Sequence, residues 1–517
     1  MSPQIYLLDL LASRSLLSLI VVVSCLTLVV ILALKSFAKG SDAKGSDDDP
    51  SIPLYTPETV AAGNYKKRWS YDNPNTLREA YGKFPNTLFK IWTSQGNQLA
   101  LPARYLDELK MLPDTKFPSS LRSFFLGPYL WPVEQWKLDY VQKGLHKDLN
   151  KHLPSMFLDA KEGADSLIPL EFPECADWSA IQVYTKVLRL VSRINTKILV
   201  GNGLQDNDEW VDISASYTRN IFVSSAMLRI FHPIMRPVAQ FFIPELRSVW
   251  HCNRRARDIL APILADRVVR EKSHDHKKPL DSIEWIRDDA NDPKDKNDPH
   301  LHAIVQLIIG ALSVNTTSQL ITNAIFNLAT WPEYVPILRQ EIDDTLREAG
   351  GKWTMESMAQ LQKTDSFIKE TLRHSGHLTI TFQRIARKTI NLSDGTEIPE
   401  GSTVFSPANA INFDPVLYPD PETFDGLRFY KLRHAEPENE KKFQLTSITK
   451  EQMQFGMGRH ACPGRWIASH QVKLILAHLL DKYDFMLKNG EGRPKTILFQ
   501  TNQFPDPQGE ILFKNRK

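Results

Sequence analysis

The chain has 517 residues, 42% of them hydrophobic, with 63 Lys and Arg against 60 Asp and Glu for a net charge of +3. That length and apolar fraction support one large or several average domains with a deep core, and the near balance of charge argues against a nucleic-acid partner and for small or apolar ligands. Only four cysteines occur (Cys25, Cys175, Cys252 and Cys462), with no pair at CxxC or zinc-ligand spacing, which points to a reducing compartment and excludes a disulfide framework.

After a short tail, residues 1–15, the stretch LLSLIVVVSCLTLVVILAL from Leu16 to Leu34 carries no charge and is long enough to cross a bilayer as a helix. It exceeds the apolar core of a cleaved signal peptide, and Asp9 beside Arg14 is not the basic cluster such peptides carry. Lys35, Lys39 and Lys44 follow it, so the positive-inside bias predicts a cytosolic domain behind a retained anchor. Residues 35–57 are rich in Gly, Ser, Asp and Pro and read as a linker, with the folded domain expected over 58–517.

LFKIWTSQGNQLALP predicts a hairpin around Gln95-Gly96-Asn97-Gln98, and ARYLDELKML a helix after it. FHPIMRPVAQFFIPEL, residues 231–246, is apolar and broken by prolines. Its plainer reading is a buried loop between helices; its sharper one is a second membrane contact. Residues 270–300, almost all charged or turn-forming, read as a solvated surface connection without a function of their own. LHAIVQLIIGALSVNTTSQLITNAIFNLATW, residues 301–331, is apolar on most faces, and its polar interruptions favour a buried central helix over a second span. Gln306, Gly310, Ser313 and Thr317 recur on it at helical spacing, a stripe against which a ligand could lie; a helix crossing is the alternative reading of Gly310.

FGMGRHACPG, residues 455–464, places Cys462 in a glycine-punctuated loop just before the helical pattern WIASHQVKLILAHLLDKY. A cysteine at a helix start meets the positive end of the macrodipole, which favours the thiolate, a metal ligand or nucleophile. Taken alone it equally suits an inert thiol in a tight loop. It is not alone: KETLR puts Glu370 and Arg373 at i, i+3 on a helix, and PETFDGLRF adds Arg428.

Together these residues resemble the heme-thiolate monooxygenases, the cytochrome P450 family, along nearly the whole chain. Phe455, Gly458, His460, Cys462 and Gly464 fill the family's Phe-x-x-Gly-x-basic-x-Cys-x-Gly loop in register. The resemblance implies a mainly α fold with small β-sheets, heme b held through Cys462 as axial iron ligand, and a buried salt-bridge triad of Glu370, Arg373 and Arg428. It aligns Ser313-Val314-Asn315-Thr316-Thr317 with the oxygen-activation segment, which gives Thr316, with Asn315, the handling of dioxygen and protons. A thiolate ligand favours O–O cleavage while the protein delivers protons and excludes water. No GxGxxG-bearing βαβ unit is visible, so the resemblance implies that electrons from NADPH arrive through a membrane-bound cytochrome P450 reductase.

Three departures stand out. Asn315 replaces the usual acid and cannot ionise. His460 replaces a common Arg as partner of a heme propionate, with Arg384 as a second contact or a plain surface residue. HSGHLTITF follows Arg373 without the usual Pro-Pro. Two segments, FSPANAINFDPVLYPDPETFDGLRF and FGMGRHACPGRW, are similar to filamentous-fungal members related to ent-kaurene oxidases. That implies a lipophilic, terpenoid intermediate of secondary metabolism as substrate, handled at the endoplasmic reticulum membrane with the domain facing the cytosol. An isomerase or dehydratase of the same fold that needs no dioxygen, and a tethered heme-binding protein without turnover, are the competing readings.

Overall fold

A computed structural model describes residues 50–516 apart from 59, 61–63, 121–125, 132–143, 202, 274–276, 291 and 489. The expected tail, membrane span and most of the linker therefore lie outside the described residues.

The chain is mainly helical. Tyr65–Lys83 (α1) precedes the first sheet, and Leu153–Glu171 (α2), Val183–Leu199 (α3), Asp208–Ile230 (α4) and Pro244–Arg270 (α5) build one side of the domain. Ser282–Asp289 (α6) leads to Pro299–Thr330 (α7), followed by Tyr334–Glu348 (α8) and Gln362–His374 (α9). Ala408–Asn412 (α10), Arg428–Ala435 (α11) and Arg465–Lys482 (α12) follow, with several single-turn helices between these elements. The helix α7 runs through the centre and packs against α3, α4, α5, α9 and α12. Its start is fixed by Asp298, whose carboxylate accepts the His300 N–H, with Pro299 in the first turn where no partner for its nitrogen is needed. By length and composition α7 could cross a membrane, but 67% of its most apolar window is buried inside the domain, so it is a core helix.

Two short strands, Phe89–Thr93 (β1) and Gly96–Ala100 (β2), pair antiparallel with Thr93 opposite Gly96, so the turn lies at Ser94-Gln95, earlier than expected. The predicted helix after it is present as a 3₁₀ turn, Ala103–Tyr105, running into one turn of α-helix, Leu106–Leu109. Ser179–Gln182 (β3) comes before α3, and four strands follow α9: Thr381–Ile385 (β4), Ile390–Asn391 (β5), Glu397–Ile398 (β6) and Thr403–Ser406 (β7). Tyr483–Met486 (β8), Thr496–Phe499 (β9), Asn502–Pro505 (β10) and Glu510–Asn515 (β11) close the chain. One sheet runs β1-β2-β7-β4 and another β3-β11-β8, with β9-β10 and β5-β6 as separate pairs. The largest apolar cluster lies among the helices, and two smaller ones flank the first sheet.

Four expectations change. The linker ends before residue 57: Ile52 and Tyr55 are buried, and the Tyr55 N–H donates to the Lys90 carbonyl, adding chain beside β1. Residues 270–300 are not merely solvated, because their charges neutralise one another inside the fold. Arg267 donates to Asp281 and Glu284, and Arg287, fully buried, donates to Glu284 and Glu271. The segment 231–246 is not a buried loop. It forms short turns with Ile234, Met235, Val238, Phe241 and Phe242 exposed, because prolines at 233, 237 and 244 interrupt any packed helix. Finally, the polar stripe on α7 is divided: Gln306 accepts from Ser282, Ser313 accepts from Asn195 and Thr317 is buried, while Gly310 meets open space. No atom would lie within 4 Å of a Cβ at Gly310, so no helix crossing demands that glycine.

Candidate active site

The open face of α7 is marked by Leu312 and Thr316, both exposed on a helix that is otherwise mostly enclosed. They are one turn apart, and the Thr316 hydroxyl donates to the Leu312 carbonyl at 2.9 Å. The adjacent Asn315 turns its amide oxygen toward α3. It is buried, and its Oδ1 accepts from the Tyr184 phenol of α3 at 3.0 Å.

Cys462 sits at the foot of α12, and its N–H donates to the Phe455 carbonyl at 2.7 Å, closing the loop on itself. Gly458, in the middle of the loop, has φ +63°, and a Cβ there would come 2.1 Å from the Lys110 carbonyl oxygen, so only glycine fits. Gly464 is different. Its φ is −85°, and a Cβ there would meet Ile467 Cγ2 in ordinary contact at 3.9 Å, so neither conformation nor packing of the protein itself demands glycine at this position. Burial pushes the Cys462 thiol up, opposed by the backbone N–H groups of Gly464 and Arg465 and by the Arg465 guanidinium. Phe455 packs against the main core.

Glu370, Arg373 and Arg428 meet as predicted. The Arg373 guanidinium donates through Nε and Nη2 to both Glu370 oxygens at 2.8 and 2.7 Å, and Arg428 Nε reaches Glu370 Oε1 at 3.2 Å. The remaining donors are used on main-chain carbonyls: Arg373 on Asn412 and Pro421, Arg428 on Pro419 and Thr423. Gln454 donates to Asn412, which ties this network to the residue before Phe455.

Arg384 lies on β4, where the pairing with β7 shifts register between Thr381 and Arg384 and Phe382 takes φ +51°. A bulge of this kind re-aims the side chains that follow it. The buried guanidinium lies over the Phe382 ring and donates to the neighbouring Gln383 carbonyl at 2.8 Å. Burial pulls its pKa down to about 10, and Asp114 is the carboxylate that opposes this. Asp114 is already engaged by His460 Nε2 at 2.7 Å. Burial, and then Arg384, lower the pKa of His460. A buried guanidinium and an imidazole thus share one carboxylate near the cysteine loop.

The profile of the cytochrome P450 family matches residues 172–513. A cytochrome P450 monooxygenase named braC, from Annulohypoxylon truncatum, is 33% identical over 467 residues, covering 90% of this chain and 92% of the relative. The chain belongs to the cytochrome P450 family. Similar P450 monooxygenases include BOA4 of Botryotinia fuckeliana (34% identity, 86% of this chain and 90% of the relative) and paxP of Penicillium paxilli (31% identity, 86% of each). This P450 is therefore an oxygenase-type oxidoreductase that uses heme b and electrons supplied from NADPH by a reductase.

The residues present fit that cofactor. A thiol whose charge the Gly464 and Arg465 N–H groups and the Arg465 guanidinium favour, a central helix with open space at Gly310, and a guanidinium short of anionic partners are what an iron porphyrin with carboxylate side chains requires. Sequence reasoning missed Asp114, Tyr184 and Arg493. Arg493 donates to Asn327, Asn323 and Ser375 and fastens the stretch before β9 to α7. The HSGHLTITF segment is held in turn by the Gln503 N–H on the His377 carbonyl and the Thr379 N–H on the Thr501 carbonyl, with Leu378 left 39% exposed.

Proposed function

We propose that this P450 inserts one oxygen atom into a lipophilic, terpenoid intermediate of fungal secondary metabolism, with Cys462 as the residue that would hold the heme iron and Thr316 as the hydroxyl that would serve oxygen activation. The observation that carries the reading is Cys462 itself, fixed at the start of α12 by its N–H bond to the Phe455 carbonyl in a loop that only a glycine at 458 can close. Heme b supplies dioxygen activation when bound. The chain's own residues do the rest. Arg384 would neutralise a propionate, and Asp114 holds the His460 imidazole in place near it. The Glu370-Arg373-Arg428 triad keeps the segment before Phe455 in place. Thr316 presents a hydroxyl to the open face of α7, and its bond to the Leu312 carbonyl sets the direction of its lone pairs.

An apolar substrate suits the exposed Leu312 and Leu378. It also suits the span Leu16–Leu34, which we read as an endoplasmic reticulum anchor with the domain on the cytosolic side. The exposed apolar residues Ile234, Met235, Val238, Phe241 and Phe242, flanked by Arg229, Arg236 and Arg247, suit a second contact with the same bilayer. The test is turnover of terpenoid hydrocarbons and alcohols by the heme-loaded protein with a P450 reductase. Product carrying one atom of labelled dioxygen, formed only with NADPH and reductase, is expected; turnover without them would establish an isomerase or dehydratase instead.

A further inference from the structure

Asn315 poses a problem that its sequence context leaves open. An amide has two ends of nearly equal size, one accepting and one donating, and which end faces a reacting group decides what it can do there. Two observations settle its orientation. The Tyr184 hydroxyl, in the first turn of α3, donates to Asn315 Oδ1 at 3.0 Å. The Asn315 amide nitrogen, by contrast, is neither sealed from solvent nor hydrogen-bonded among the described residues.

We propose that Tyr184 is a positioning residue for Asn315, holding the amide oxygen so that the amide NH₂ is presented as a donor beside Thr316. The inference rests on reading α7 as the oxygen-activating helix. Its chemistry is one of orientation: an NH₂ can hold a water by donating to its oxygen and so leave the water's protons for the Thr316 hydroxyl, whereas a carbonyl in that place would take up one of those protons. The phenol is suited to the task because it lies half-buried between α3 and α7, and burial raises its pKa to about 12, so it remains a donor throughout the physiological range. Neighbouring contacts hold the frame rigid, since Asn195 on the same helix α3 donates to Ser313 on α7 at 3.0 Å. Without the phenol, the amide would lose a preference of roughly three- to tenfold for one orientation, the equivalent of one hydrogen bond.

Two measurements on the full-length, heme-loaded protein decide the matter, using Tyr184→Phe, Asn315→Ala and the double variant. Tyr184→Phe deletes a single oxygen and preserves the packing of the ring. The first measurement is equilibrium unfolding in a double-mutant cycle. The two changes should be non-additive by roughly three- to tenfold in the unfolding constant, and additivity would overturn the bond itself. The second is hydrogen peroxide formed per NADPH consumed with reductase and no added substrate. Both single variants should raise the peroxide share about twofold or more, with the double variant no worse than Asn315→Ala. If Asn315→Ala raises peroxide and Tyr184→Phe does not, the positioning role is wrong while the reading of α7 stands. If Asn315→Ala itself leaves peroxide unchanged, both fall.

Discussion

Arg384 has an unusual environment for a guanidinium, with an aromatic ring beneath it, its neighbour's carbonyl as hydrogen-bond partner, and a carboxylate that a histidine already occupies. Burying a cation in this way is costly unless an anion completes it. A heme propionate is the anion we assign. Arg384→Ala should therefore cut heme retention several-fold with little change in folding of the heme-free chain, and Arg384→Lys should recover part of it. Heme content per protein after gel filtration is the measure, and full retention in Arg384→Ala would contradict the assignment. The sequence made Cys462 and the Glu370-Arg373-Arg428 group legible because their spacing is local or follows a dense pattern of Gly, Phe and Pro. It left Arg384 divided between two roles, since nothing in its neighbours reveals burial. Asp114 and Tyr184 could not be read at all: each meets its partner across 346 and 131 residues of chain, with no pattern joining them.

At the scale of elements, the central helix α7 was the easiest to foresee, because an uncharged run longer than thirty residues ending at Trp331-Pro332 has few other solutions in a domain of this size. The face it opens was misjudged in part. Small polar residues suggested a ligand stripe, yet Gln306 and Ser313 serve contacts with α6 and α3, and the open edge belongs to Gly310, Leu312 and Thr316. Charge content misled in the same manner at residues 270–300. A run of Asp, Glu, Lys and Arg looks solvated until pairing is known, and pairing is tertiary. The short turns between α4 and α5 show the converse, apolar residues placed outside. Their exposure predicts that protein lacking residues 1–49 still binds liposomes, and that Phe241→Asp with Phe242→Asp releases most of it into the supernatant on sedimentation. Equal binding by the double variant would show that this face does not meet lipid.

For the molecule as a whole, three histidines with enclosed ring nitrogens, one of them wholly buried, set a lower pH limit. His302, His377 and His470 each have Nδ1 sealed away without a partner, and burial brings each pKa from 6.5 down to about 4. The unfolded chain binds these protons more readily than the folded one, so the contribution to stability is complete above pH 6.5 and is lost as the pH falls from 6.5 toward 4. Denaturant midpoints should decline steadily across that window, and replacing His302 with a neutral side chain of similar size should flatten the decline; a flat profile in the wild type would mean these imidazoles are not enclosed. All else in the account depends on the sulfur of Cys462 reaching iron. The most direct measurement is the spectrum of the reduced, carbon-monoxide-bound protein, taken for wild type and Cys462→Ala at equal protein concentration. A thiolate-type band in the wild type and none in the variant is the predicted result, and a thiolate-type band that survives in Cys462→Ala would contradict it.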